Sequence, residues 1–230
     1  MKKNTILLFF TVAIGSAVIL TTGCSKDDTT APVVTLNGAS DITLTLNSAA
    51  WTDLGATASD EEDGTTTVTS DASSTNPNVN HTGVYTITYT STDAAGNVGS
   101  AVRTITVRNE AEDFAGIYTI TDVTIPGSPY IFHDTVTVDE TLNNRIHFAR
   151  FNDYANNNGI YGTRLANGNL EIPSQVGASI GTGSNPCDVA DHTFQSTSYT
   201  STSTGFTLLF SDLNQCNSTS VVFTTEWVKQ

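Results

Sequence analysis

Between Pro32 and Arg108 apolar residues recur at every second position. Ile42, Leu44 and Leu46 alternate with Thr43 and Thr45, Tyr85, Ile87 and Tyr89 with Thr86 and Thr88, and Ile105 and Val107 with Thr104 and Thr106. A period of two with one apolar face predicts strands that cover a core on one side and meet water on the other. Threonine suits the wet face, because its β-branch favours an extended backbone and its hydroxyl tolerates solvent. Asn37-Gly38, Asp63-Gly64, Asn76-Pro77 and Ala95-Gly96-Asn97 punctuate the runs as turns. No window reads as an amphipathic helix, so residues 32–108 are expected to form a β-sandwich of short strands.

The same grammar continues after a short acidic joint, Glu110–Asp113. Residues 114–230 predict eight strands: Ile117–Val123, Thr135–Val138, Arg145–Phe151, Gly159–Arg164, Asn169–Ile172, His192–Tyr199, Phe206–Phe210 and Val221–Val228. Short turns such as Pro126-Gly127, Asn157-Asn158-Gly159 and Asn167-Gly168 join them in sequence, which favours an up-and-down meander. Closure into an antiparallel β-barrel would remove both exposed edges. A second sandwich is the alternative. The chain is therefore expected to be all-β throughout.

Two sets of residues carry resemblances. Gly83-Val84-Tyr85-Thr86-Ile87-Thr88-Tyr89 followed by Asp93-Ala94-Ala95-Gly96-Asn97, with Asp60-Glu61-Glu62-Asp63-Gly64 upstream, resembles the bacterial surface Ig-like domains. These include the Ig-like repeat of a pesticidal crystal protein and the hyalin-type repeats. That resemblance covers about residues 32–108 and implies an Ig-like spacer or adhesive module without catalysis. Gly83-x-Tyr85 also has the form of a tyrosine corner, with Ile87 where antibody domains place their second cysteine. Phe114-Ala115-Gly116-Ile117-Tyr118, Arg145–Phe151 and Asn169–Gln175 are similar in order to the small, partly lipocalin-like barrels of Bacteroidota lipoproteins. Those barrels are commonly paired with an N-terminal Ig-like domain.

The N-terminus has a different pattern. Lys2 and Lys3 precede an apolar run from Ile6 to Leu20 and small residues up to Gly23. A basic start, an apolar segment and small residues predict a secretory signal peptide over residues 1–23. A membrane-spanning helix is the alternative, but it needs about 20 apolar residues. Leu20-Thr21-Thr22-Gly23-Cys24 resembles the lipobox of bacterial lipoproteins, although Leu20 stands one place further from the cysteine than usual. The resemblance implies lipidation of Cys24, a flexible tether over residues 24–31 and attachment to a membrane through acyl chains. Stable anchoring takes more than one chain, at about 0.8 kcal/mol per buried CH₂. Ser25-Lys26-Asp27-Asp28 resembles the export signal of Bacteroidota surface lipoproteins and implies exposure on the outer membrane; an ordinary solvated linker is the alternative.

Charge narrows the partners. The formal net charge is −14, and removal of Lys2 and Lys3 with the signal takes it to about −16. So acidic a chain repels phosphate backbones, which excludes nucleic acid as a partner, and it disfavours direct adsorption to anionic lipid. Beyond Cys24, Cys187 and Cys216 are expected to form a disulfide, as exported cysteine pairs do, with two buried thiols or a catalytic cysteine as the alternatives.

Candidate chemistry is sparse. Asp60, Asp63 and Asp93, with Glu61, Glu62 and Asn97 nearby, are hard oxygen ligands that could hold Ca²⁺; Asp-Gly is also what a tight turn requires. No other cofactor is expected. His133, His147 and His192 come without a nucleophile elbow or an H-E-x-x-H motif and read as scattered strand and loop residues. No catalytic residue is assigned, and the chain is expected not to be an enzyme. Tyr118, Tyr130, Phe132, Phe148, Phe151, Tyr154 and Tyr161 serve either as barrel core or as platforms for sugar rings. Tyr154, in the Asn-rich loop, is the candidate for exposed ligand contact. The expected function is a surface lipoprotein whose barrel binds an extracellular glycan or a surface protein. A structural or adhesive role and a small glycan hydrolase are the alternatives.

Overall fold

The computed structural model describes residues 27–153, 159–177 and 192–230. Among them no helix is long and apolar enough to cross a membrane.

The N-terminal lobe has seven strands in two sheets. β1 (Val33–Leu36), β3 (Ala56–Asp60) and β4 (Gly64–Thr66) form one sheet. β2 (Asp41–Thr45), β7 (Val98–Arg108), β6 (Gly83–Thr92) and β5 (Val68–Ser70) form the other, in that order. The long β6–β7 hairpin is the backbone of the lobe, and β2 runs parallel to β7 with Ile42 opposite Ile105. The alternation in the sequence becomes the inside and outside of this sandwich. Ile87, Tyr89 and Ile105 are buried, and Val34, Leu36, Ile42, Leu44, Trp51 and Val68 pack against them. The Tyr85 hydroxyl donates to the His81 carbonyl at 2.9 Å, four residues upstream, as a tyrosine corner requires.

One inward position breaks the apolar rule. Arg103 lies two residues before Ile105 on the same face of β7 and is fully buried. Its guanidinium donates to the carbonyls of Ala39 (3.0 Å), Asn37 (2.6 Å) and Gly55 (3.3 Å), to Asp53 Oδ1 (3.0 Å) and to the Tyr89 hydroxyl (2.7 Å). Tyr89 in turn donates to Asp53 Oδ1 at 2.5 Å. Burial, and then the bond to Asp53, push the Tyr89 phenol up to about 12. A five-donor fork that reaches three backbone carbonyls and a carboxylate satisfies a charge that would otherwise be very costly to bury.

The acidic joint is folded. Glu110–Phe114 is a short 3₁₀ helix capped by Asn109, whose side chain accepts from the Ala111 amide at 2.9 Å. Asn109 is buried, and its Nδ2 donates to the carbonyls of Asp139 (2.8 Å) and Leu142 (2.9 Å). Thr82 N donates to the Glu140 carbonyl (2.8 Å), and Asn47 Nδ2 to that of Thr141 (2.8 Å). The Asp139–Asn144 turn of the C-terminal lobe is therefore clasped by three separate segments of the N-terminal one.

Among the described residues the C-terminal lobe is one curled sheet of nine antiparallel strands. They are β8 (Gly116–Asp122), β9 (Tyr130–Val138), β10 (Arg145–Phe148), β11 (Tyr161–Arg164), β12 (Leu170–Glu171), β13 (Gln175–Gly177), β14 (His192–Ser201), β15 (Gly205–Asn214) and β16 (Ser220–Lys229). The spatial order is β12-β11-β10-β9-β8-β16-β15-β14-β13, so the first and last strands of the lobe pair with each other. That is a meander rolled toward a barrel, with β12 and β13 as its two edges. β13 was not predicted: three residues of mixed polarity carry too little periodicity to read. The seam between the edges is stitched without a ladder. Ser196 N donates to the Ile172 carbonyl (2.8 Å), and the Gln175 side chain exchanges bonds with the Tyr161 amide (3.0 Å) and carbonyl (2.7 Å). Aromatic rings fill the curl, where Tyr118, Phe148, Phe151, Phe194, Phe206, Phe210 and Trp227 form one continuous buried cluster.

Asp134 sits at an inward position of β9, between buried Phe132 and Val136. Its Oδ1 accepts from the amides of Thr135 and Arg150, both at 2.7 Å, while its Oδ2 is buried without a hydrogen-bond partner. Burial pushes this carboxyl up to about 6 against the hydrogen bonds that lower it. The folded state therefore binds the proton more tightly than the unfolded state. The associated stabilisation is fully present below the unfolded value of 3.8 and is lost as pH rises through about 6. The interval corresponds to roughly 3 kcal/mol. Asparagine at this position does not titrate. On acidification from pH 7 to 4, urea denaturation should show the wild type gaining roughly 2–3 kcal/mol on Asp134→Asn. A constant gap between the two proteins would show that Asp134 titrates normally.

Candidate functional site

Two places gather functional groups. The first is the end of the N-terminal lobe furthest from the joint, where the β6–β7 turn meets the β3–β4 turn. In the first turn Asp93 Oδ1 accepts from the amides of Gly96 (2.7 Å) and Asn97 (2.8 Å), and its Oδ2 from Asn97 Nδ2 (2.8 Å). Burial raises the Asp93 carboxyl, but the bonds from Asn97 and Gly96 prevail and hold it below the ordinary value. In the second turn Asp60 Oδ1 accepts from the amides of Glu62 (2.8 Å) and Asp63 (3.0 Å). Asp60 is 9% exposed, and its Oδ2 is buried with no hydrogen-bond partner. Asp63 Oδ2 accepts from the Ala94 amide at 2.6 Å, tying the two turns together.

The segment before β1 completes this end. Asn97 Nδ2 donates to the Asp28 carbonyl at 3.2 Å. The chain then runs tightly along β7: a Cβ on Gly99 would lie 1.8 Å from the Pro32 carbonyl oxygen, so only glycine permits the approach. As a result one carboxylate oxygen each from Asp28, Asp60 and Asp93 lies within 4.8 Å of the others. The acidic group thus differs from the expected Asp60, Asp63 and Asp93. Asp63 instead ties the two turns together through the Ala94 amide, and Asp28, which the sequence presented only with Asp27 as part of an export signal, takes the third place.

The second place is a cavity of about 400 Å³ in the C-terminal lobe. Phe114, Tyr118, Tyr199 and Phe206 form its apolar wall, with Asp113, Arg164, Ser203, Thr204 and Lys229 around them. The wall is rigid. Tyr118 donates to the Phe114 carbonyl at 3.0 Å, and Tyr199 packs on Phe206 with centroids 5.5 Å apart and edge-on to Phe114 at 6.2 Å. Burial, and then the neighbouring Tyr199, push the Tyr118 phenol up to about 12, so it stays neutral. Lys229 Nζ is engaged by the Asp113 carbonyl at 3.1 Å. The Arg164 guanidinium, by contrast, lines the cavity and makes no hydrogen bond or ion pair with another described residue. Arg164, Tyr199 and Lys229 were not legible as a site, because they lie on β11, β14 and β16 and no spacing links them.

The remaining predicted residues are dispersed. Tyr118, Phe132, Phe148 and Phe151 belong to the core, as the plainer reading of the aromatics had it. Tyr130 is exposed, stacks on Phe132 at 6.0 Å and donates to Asp153 Oδ2 at 2.5 Å. Tyr161 lies under the Arg145 guanidinium at 4.1 Å. His133 contacts Thr119, His147 pairs with Asp139 at 2.9 Å, and His192 pairs with Asp212 at 2.6 Å, each on its own part of the sheet. Cys216 is disulfide-bonded. Cys24, Ser25, Lys26, Tyr154 and Cys187 lie outside the described residues.

Residues 34–107 match the family model of the bacterial surface protein, Ig-like domain. Among solved structures, a crystallised lipoprotein from Bacteroides thetaiotaomicron is 16% identical over 86% of this chain and 100% of its own, with a TM-score of 0.34. A Clostridium perfringens ZmpB structure, of CBM51-2 in complex with GlcNAc and INT domains, is 18% identical over 86% of this chain and 44% of its own, with a TM-score of 0.25. At such scores the likeness bears on neither architecture nor activity. No curated protein matches the chain.

Proposed function

We propose that this is a non-catalytic surface lipoprotein of a bacterial outer membrane, in which the Ig-like lobe is a spacer and the curled, lipocalin-like lobe binds an extracellular glycan. The cavity carries this reading. Half-buried Tyr199, backed by the buried rings of Phe114, Tyr118 and Phe206, gives a sugar ring an aromatic side to pack against, while the Arg164 guanidinium, which bonds to no other described residue, and two hydroxyl side chains offer hydrogen bonds to its substituents. Its size, about 400 Å³, suits one or two sugar units. The planar fork of Arg164 matches a carboxylate well, which favours a glycan bearing uronic or sialic acids.

The folded joint supports the spacer role. With Asn109 buried and the Asp139–Asn144 turn clasped, the lobes are held at a set angle and the cavity is presented in a set direction. A lipid on Cys24, followed by Ser25-Lys26-Asp27-Asp28 as export signal, would put the Asp28 end of the Ig-like lobe nearest the outer leaflet.

The test is retention of the purified protein on an array of acidic and neutral glycans, with Arg164→Ala as the probe. This side chain makes no hydrogen bond or ion pair with another described residue, so the substitution should leave the melting temperature in place. Affinity for the retained glycan should fall about tenfold or more, the equivalent of roughly 1.4 kcal/mol. Retention on no glycan, or equal retention by Arg164→Ala, would sink the assignment.

A further inference from the structure

We propose that Asp28, Asp60 and Asp93 form a Ca²⁺ site that clamps the segment preceding β1 onto the far end of the Ig-like lobe. Three observations converge on it. The first is geometric. Two oxygens bound to one Ca²⁺ at 2.3–2.6 Å lie at most about 5 Å apart, and the three carboxylate oxygens fall within 4.8 Å of one another. The second is electrostatic. Among the described residues no lysine, arginine or histidine pairs with any of the three acids, so their negative charge is met there only by neutral N–H donors such as those of Gly96, Asn97, Glu62 and Asp63. The third points to a ligand directly. Asp60 is nine-tenths buried and pinned through Oδ1 by two backbone amides, which leaves Oδ2 out of water with no donor. A carboxylate oxygen is not held dry and unpartnered without cost. A cation between the turns removes that cost.

The donor set selects the ion. All three ligands are hard oxygens, with no thiolate or imidazole among them, which disfavours zinc. Mg²⁺ keeps most of its water and takes one or two carboxylates in strict octahedral geometry, whereas Ca²⁺ accepts an irregular group of carboxylates completed by water. Asn97 holds the assembly in place: its Nδ2 reaches both Asp93 Oδ2 and the Asp28 carbonyl. The three ligands come from the segment before β1, the end of β3 and the β6–β7 turn. A bound ion therefore adds a cross-link among three stretches already joined by the Ala94–Asp63 and Asn97–Asp28 hydrogen bonds. Its consequence is mechanical, because it fixes where the segment leaves the lobe, at the opposite end from the glycan cavity.

Calorimetric titration of the full-length protein, stripped of metal, with CaCl₂ tests this directly. We expect one Ca²⁺ per chain with a Kd of about 0.1–1 mM, the range of extracellular modules. MgCl₂ should bind at least about tenfold more weakly. Ca²⁺ should also raise the melting temperature and slow proteolysis within residues 27–31. Asp60→Asn should abolish binding. Asp28→Ala should weaken it about tenfold while leaving the Ca²⁺-free melting temperature unchanged, because Asp28 lies outside the sandwich strands. Absence of both heat and thermal shift at about 10 mM Ca²⁺ would overturn the site. Wild-type affinity in Asp28→Ala would overturn the clamp. Neither outcome touches the glycan reading, whose probe, Arg164, lies in the other lobe.

Discussion

Arg103→Met should destabilise the N-terminal lobe by about 3–5 kcal/mol, the range seen when one partner of a buried ionic network is removed. Methionine fills much of the same volume, so the loss does not come from a cavity. It comes from the groups left behind. The carbonyls of Ala39 and Asn37 lose the guanidinium, that of Gly55 is left with the Asn37 amide, and the Asp53 carboxylate, with a side chain only 25% exposed, loses its counter-charge. Asp53 Oδ1 then keeps only neutral donors, the Tyr89 hydroxyl and the Gly55 amide. A lobe of this size holds about 4–11 kcal/mol in total, so the substitution removes a large share of its stability. Arg103→Lys should lie between the two proteins, since an ammonium has three donors and no planar fork.

The two tryptophans make the measurement clean. Trp51 packs in the N-terminal lobe and Trp227 in the C-terminal one, and the sequence has no others. In a Trp227→Phe background, fluorescence during urea unfolding reports the N-terminal lobe alone. Arg103→Met should shift that transition to much lower denaturant. A shift worth less than about 1 kcal/mol would mean that the network contributes nothing net.

Trp227→Ala should cost the C-terminal lobe about 3–5 kcal/mol, through lost transfer energy and the cavity that remains. Trp227 is 1% exposed and is the hub of the aromatic cluster. Its ring stacks on Phe206 at 5.3 Å and meets Phe148 at 5.5 Å, Tyr118 at 5.8 Å and Phe151 at 6.3 Å. Its Nε1 donates to Thr225 Oγ1 at 2.9 Å, and that hydroxyl is itself buried and donates to the Leu208 carbonyl. Alanine leaves a void walled by stiff rings, which cannot collapse as an aliphatic pocket might. The melting temperature of the lobe should fall by more than about 10 °C. Because Tyr118 and Phe206 also line the cavity, glycan affinity should fall with it. Trp227→Phe should recover most of both. A fall of only a few degrees for Trp227→Ala would show that the cluster repacks.

The alternation of threonine with isoleucine, leucine and tyrosine carried the strand pairs of the N-terminal lobe, because a period of two leaves one answer to which face is inside. It could not carry Arg103. A charged residue on an apolar face reads as an exception, and the carbonyls that satisfy it come from Asn37, Ala39 and Gly55, far away in sequence. Asn109 is similar. In the text it stands beside an acidic joint, yet it is the buried cap that fastens the joint to the Asp139–Asn144 turn. The Asp60 and Asp93 turns were legible as acidic, but only the approach of Pro32 to Gly99 brings Asp28 alongside them.

What the sequence determined by itself is the local chemistry: strands from alternation, turns from Asn, Asp and Gly, and an all-β chain of two successive sheet systems. Those follow from backbone and side-chain preferences acting over a few residues. What the tertiary structure alone decided is which distant residues share a space. Arg164 and Tyr199 became neighbours because β8 pairs with β16 and rolls the meander into a curl. Asp28 joined Asp60 and Asp93 because the chain before β1 lies flat along β7. The strand pattern constrains each strand's faces, but the roll of a sheet and the path of an incoming segment are set by long-range packing, which no local pattern records.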